Sequence, residues 1–191
     1  TTNTFALQDM DGNNFNTSSL TTYTSGGTAF RIYQIASPYT TAQLFEIKYA
    51  QSADVMYLVH PSVAIQKLTR TGHTSWSISA CNITGNPSPG LSTTDNFPSS
   101  VTFYEQRLVF AGTNNNPQSI FFSVAGSYEN FATGTNATDA MIYTIASNQV
   151  NAIRFLSAQT QLLIGTTGGE FIATSGSNSE PITPTNIQIT R

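Results

Sequence analysis

The sequence predicts an all-β protein of antiparallel hairpins, in a propeller-like or sandwich arrangement, with very little helix. Apolar strand-like runs come in pairs, with Pro, Asn or Gly between the members of each pair. Helical periodicity is nearly absent. Of 191 residues, 39 % are hydrophobic and 11 % aromatic, while only 9 % are charged, against roughly 25 % in ordinary soluble domains. A disordered chain would be charged and poor in aromatics, so this one folds and surfaces itself with hydroxyls and amides.

In chain order, "AFRIYQIA" alternates Phe30, Ile32 and Gln34 against Arg31, Tyr33 and Ile35, the pattern of a strand buried on one face. "PYTTAQLFEIKYAQS", Pro38 to Ser52, is the best helix candidate, with Pro38 near a start and Leu44, Ile47 and Lys48 at helical spacing. "VMYLVH" and "IQKLTRT" flank Pro61-Ser62-Val63-Ala64; "VTFYEQRLVFAG" and "SIFFSVAG" flank Thr113 to Pro117; "QLLIGT" and "EFIATSG" flank Thr167-Gly168-Gly169. These spacings predict hairpins near 55–70, 107–124 and 161–175.

The three hairpins resemble one another. Lys48 to Gln51, Thr102 to Glu105 and Arg154 to Ser157 each open a unit, and "VMYLV", "LVFAG" and "LLIGT" align as first strands. The lag of about 50 residues falls among the periods of repeat β architectures such as propeller blades; three ordinary hairpins of a sandwich give the same spacing. The expected organisation is an N-terminal β segment with one or two helical turns over 1–47, β units over 48–100 and 101–150, and a third, incomplete unit over 151–191. Ser79 to Ser100, rich in Pro and Gly, is a linker or an ordered surface loop, and Ser127 to Ala140 a second loop.

Composition also excludes. With a net charge of −3 and 7 Lys plus Arg, stable nucleic-acid binding is not expected, because that binding rests on basic residues displacing counterions. A surface this short of charge suits a protein whose faces are covered by neighbours. Cys81 stands alone, which leaves no internal disulfide and no cysteine metal site. No apolar run reaches the roughly 18 residues of a membrane span. The opening Thr1-Thr2-Asn3 and the alternating close "TPTNIQITR" are expected of a fragment, a processed chain or a partly ordered one.

Candidate sites weigh toward structure. His60, before Pro61, and His73, in a Gly-containing turn, lack the three or four convergent ligands a metal needs. No strained G-x-S-x-G elbow presents a serine nucleophile. Asp54, Glu105, Glu129 and Glu170 are scattered singly, whereas glycoside hydrolysis needs a carboxylate pair. No catalytic residue, cofactor or metal is expected. "DMDGNNF", Asp9 to Phe15, lacks the Glu of a calcium loop, since Leu20 stands at its twelfth position, and Asp11-Gly12 reads as a hairpin turn. "GTTGGE" lacks the Lys of a phosphate loop. "NIT" at Asn82 and "NAT" at Asn136 match glycosylation sequons but carry little weight alone. Trp76, Tyr57, Phe103, Phe121, Phe122 and Phe155 are expected in the core.

"LFEIKYAQSADVMYLVHPSVAIQKLTRTGHTSWSI", residues 44–78, resembles a recurring segment of structural tail proteins of tailed bacteriophages, the tail tubular or nozzle group. "QRLVFAGTNNNPQSIFFSVAGSYENF", within 101–131, resembles a second segment more loosely. Gln66 departs from the Pro or Arg expected after the turn. The resemblance implies a β-rich, partly propeller-like virion subunit in a ring around a genome-delivery channel. Its partners would be copies of itself and other tail or head–tail connector proteins, with DNA only in transit and contact with the host surface left open. It implies structural roles for Asp54, His60, Pro61, Arg70, Gly72, His73, Trp76, Tyr128, Asn130 and Phe131, with Gly72 supplying a turn, Trp76 the core, and His73 and Arg70 hydrogen bonds. A receptor-binding or fibre-associated β module of a phage tail is the alternative, which exposed aromatic clusters would favour.

Overall fold

The computed structural model describes residues 34–85, 90–91, 95–146, 150–176 and 180–191, together with Asn13, Asn14, Asn16 and Ser18. The chain forms two compact units, residues 1–33 and 34–191. In the first, the Ser18 N–H donates to Asn16 Oδ1 at 3.0 Å; the predicted Asp9 to Phe15 loop and most of the strand at Ala29 to Ala36 lie outside the described residues. Gln34 to Ala36, at the end of that predicted strand, take no regular form.

The second unit is nearly all β. Among the described residues its helical content is one short segment, Thr41–Glu46, within the stretch predicted to hold one or two helical turns, and its form is 3₁₀. Thr40 caps it in a box: Gln43 N–H bonds back to Thr40, and Thr40 N–H donates to Gln43 Oε1 at 2.9 Å. Ile47 then turns extended and the chain enters its first strand.

Twelve strands follow in three antiparallel four-stranded sheets, each a meander in chain order. Sheet 1 holds β1 (Lys48–Ser52), β2 (Val55–His60), β3 (Val63–Gly72) and β4 (Ser75–Ala80). Sheet 2 holds β5 (Pro98–Tyr104), β6 (Arg107–Thr113), β7 (Ser119–Phe122) and β8 (Met141–Thr144). Sheet 3 holds β9 (Ile153–Ala158), β10 (Leu162–Thr166), β11 (Gly169–Ser175) and β12 (Ile187–Thr190). The arrangement is sandwich-like, with no closed barrel. The predicted hairpins are β2–β3, β6–β7 and β10–β11. Two segments expected only to open a unit, Lys48 to Gln51 and Arg154 to Ser157, are themselves in strands β1 and β9, and the single predicted strand "VTFYEQRLVFAG" turns at Glu105-Gln106 into β5 and β6, so "VMYLV", "LVFAG" and "LLIGT" are second strands and not first ones.

The sheets stack in three layers with sheet 2 in the middle. Side chains alternate along a strand, and β6 uses both directions. Leu108 and Phe110 point into one core with Tyr57, Val59 and Ile65 of sheet 1, while Val109 and Ala111 point into a second core with Leu162, Ile164, Phe171 and Ala173 of sheet 3. Every residue of β6 and β7 is buried. A strand covered on both faces reads as a continuous apolar run, which "LVFA" and "SIFF" are. The first strands of successive sheets adjoin: β1 lies against β5, and β5 against β9. Cys81 and Leu91 are buried, and Thr84 bridges to Asn130, so the described parts of the Pro- and Gly-rich stretch are an ordered surface loop.

Candidate functional site

The stretch from Asp54 to Trp76 folds into β2, β3 and the first two residues of β4, with an exposed corner at one end. Arg70 sits opposite Trp76 in the β3–β4 register. Its guanidinium donates to Asp54 Oδ1 at 3.0 Å and lies 5.9 Å from the centre of the Trp76 ring. Trp76 Nε1–H donates to the His73 carbonyl at 3.2 Å. Two expectations are corrected here. Trp76 is 37 % exposed, because it sits on the face of sheet 1 turned away from sheet 2. Gly72 ends β3 without a positive φ, and a Cβ on it would meet Ser75 Cβ at an ordinary 3.7 Å; the turn is His73-Thr74, and it does not require glycine. The Asp54–Arg70 pair is solvent-exposed, the kind worth about 0–1 kcal/mol.

His60 is buried at the other end of β2. Its Nδ1 accepts the Ser62 N–H at 3.0 Å, which places the ring proton on Nε2, 3.1 Å from Glu46 Oε2. Tyr39 meets the ring edge-on at 6.4 Å. The Tyr39 hydroxyl is buried without a hydrogen-bond partner, and burial pushes it up to about 12. Pro61 begins the turn and its carbonyl accepts Asn114 Nδ2 at 2.7 Å.

The loop after β7 closes the same wall. Phe131 stacks on Phe110, and Tyr128 meets Phe103 edge-on at 5.0 Å. Asn130 Oδ1 accepts the Ala132 N–H at 3.0 Å. Glu129 accepts from Lys67 Nζ at 2.6 Å and from the Tyr57 hydroxyl at 3.2 Å, tying this loop to sheet 1. Burial, then the Glu129 charge, raises the Tyr57 hydroxyl and pushes the Cys81 thiol up to about 12. Sequence reasoning missed the Glu129 tie, because its partners lie 62 and 72 positions away.

Carboxylates expected singly are mostly committed to structure. Asp54 pairs with Arg70 and Glu129 with Lys67. Glu105 Oε2 accepts the Ile182 N–H at 2.6 Å, although Glu105 and Glu180 border the same clefts. Arg107, 2 % exposed, spends its guanidinium on the carbonyls of Ser123, Ala137, Thr138 and Asp139. Among the described residues no three His, Cys, Asp or Glu side chains gather as a metal would require.

One groove presents aromatics to solvent. It runs along the adjoining first strands, about 300 Å³ in volume, lined by Lys48, Tyr49, Ser100, Val101, Phe155 and Leu156 among others. Tyr49 is 64 % and Phe155 43 % exposed, which corrects the expected core placement of Phe155. The Phe155 ring lies over Gly165, where a Cβ would sit 2.0 Å from it. Lys48 Nζ donates to the Arg154 carbonyl; burial, then the Arg154 charge, lowers its pKa.

The fold and these contacts define a class: an all-β protein of stacked meander sheets whose polar side chains serve mainly to tie loops to sheets. No protein-family model matches the chain. No curated protein matches it significantly.

Proposed function

We propose that this chain is a structural wall subunit of a phage tail, part of a tube or nozzle ring around a genome-delivery channel. The observation that carries the reading is the three-layer stack, in which the middle sheet is buried on both faces and the end sheets turn their outer faces outward. Stacked meanders build rigid shells around an axis, as propeller blades do, and rings are a common product of head-to-tail contacts. Duplex DNA carries one charge per roughly 1.7 Å of axis, so a lining of Ser, Thr and Asn lets it slide. Two of the few cations are paired with carboxylates, and a third is sealed by carbonyls. The resemblance over residues 44–78 and 101–131 points the same way.

The exposed Tyr49 and Phe155 favour a second reading, a receptor-binding module of the same tail, with aromatic faces as a sugar platform. Immunogold labelling of purified virions with an antibody to this chain separates the two. Label collared around the tail tube supports the wall. Label only at fibre tips, with Tyr49→Ala abolishing adsorption, supports the receptor module; no label on particles removes both.

A further inference from the structure

Counting from the tight turns, β2 and β6 occupy equivalent places: each starts directly after a two-residue turn, Ala53-Asp54 or Glu105-Gln106. Met56 and Leu58 then correspond to Leu108 and Phe110; in sheet 3, where the turn Gln159 to Gln161 is one residue longer, the residues of β10 that face the preceding sheet are Leu162 and Ile164. Leu108, Phe110, Leu162 and Ile164 are all completely buried against the preceding sheet. Met56 and Leu58 take the same facing in sheet 1 but, among the described residues, join neither core and are only half-buried, as are their register neighbours Leu68 and Ile78. The opposite face repeats as well. Tyr57 and Val109 are buried against the following sheet, while Leu163, their counterpart in sheet 3, and its neighbour Ile172 face a cleft of about 490 Å³.

We infer that the outer face of sheet 3 binds the outer face of sheet 1 of a second copy, continuing between chains the sheet-on-sheet packing found twice within one. The occupant follows from the repeat. The sheet 3 face is of the type that receives a following sheet, and the sheet 1 face is of the type that lies on a preceding one. Two sheet 3 faces would not match, so the contact is head-to-tail, the geometry that yields rings or filaments. This deepens the ring-wall reading and rests on it for its biological setting.

The test is sedimentation velocity with native mass spectrometry on the wild-type chain, Ile172→Arg and Leu68→Arg, alone and mixed. The wild type is expected to gain mass with concentration, and each variant alone to stay monomeric. Their mixture is expected to give a 1:1 complex of twice the monomer mass and nothing larger, because each retains one working face. Circular dichroism melts check folding; Thr174→Arg and Gln51→Arg, outward-facing on the same two sheets, replace either variant that fails to fold. A monomeric wild type at every concentration overturns the inference, as does a single variant that still pairs with itself, or a mixture without complex. A chain that associates in this way but is absent from virions removes the ring-wall reading and leaves the pairing intact.

Discussion

Replacing Phe110 by alanine tests the layering directly. Phe110 is fully buried in the middle sheet, between sheet 1 and the loop carrying Phe131, whose ring centre is 5.7 Å away at 30°. Removing a core Phe costs about 3–5 kcal/mol through lost transfer energy and the cavity left behind; the stacked pair adds about 0.5–1.5 kcal/mol beyond area. Sheet 2 is held on both sides and has little freedom to collapse into the gap, so the upper half of the range applies, about 4 kcal/mol. For a chain of this size about 2–4 °C is lost per kcal/mol, which predicts a melting temperature lower by about 8–16 °C. Trp76→Ala is the comparator. With 37 % of its surface already in water, it should cost about 2 kcal/mol, roughly half of the core value. The assay is thermal unfolding by circular dichroism, with Phe131→Ala and the double variant giving a coupling of about 1 kcal/mol. Equal losses at Phe110 and Trp76, or a larger one at Trp76, would refute the three-layer account.

Arg107→Met should destabilise by about 3–5 kcal/mol, because it strands the carbonyls of Ser123, Ala137, Thr138 and Asp139; urea unfolding measures it, and a neutral result would mean water takes over those bonds. Gln106→Gly should stabilise by about 0.5–1 kcal/mol, since Glu105 and Gln106 both hold positive φ without being glycine; an unchanged melting temperature contradicts the strain. Cys81, pushed up to about 12 by burial and Glu129, should react with a thiol reagent at pH 8 only after denaturant is added; rapid native labelling speaks against its burial. Stability should also fall from about pH 9 to about pH 12. Tyr39, Cys81 and Tyr104 are each raised to about 12, Tyr39 by burial alone, Cys81 by burial and Glu129, and Tyr104 by burial and Glu105. The unfolded chain therefore loses these protons first, and the native state loses its advantage as pH rises; a flat melting profile across that window contradicts it.

The strand pairs were legible because alternation and turn residues are local: Pro61-Ser62 and Thr167-Gly168 mark their turns without any tertiary knowledge. The face a residue takes in the assembled layers was not. Trp76 and Phe110 both lie in strands, and only the stacking order says that one side of sheet 1 faces away from sheet 2. Phe155 looked like core because an aromatic in a strand usually is; its ring covers Gly165 on the outer face instead. The openers Lys48 to Gln51 and Arg154 to Ser157 carry charge, which hid them as strands, yet their backbones complete each meander. Of the corner, the Asp54–Arg70 contact follows from hairpin register, whereas the Lys67–Glu129 tie depends on a loop returning from sheet 2.

An electron cryomicroscopy map of the native assembly that contains this chain tests the wall reading most directly. A ring of subunits around an open axial channel, with each subunit's three sheets stacked around that axis, is the predicted result. Density confined to a fibre tip, or an isolated particle with no channel, would contradict it.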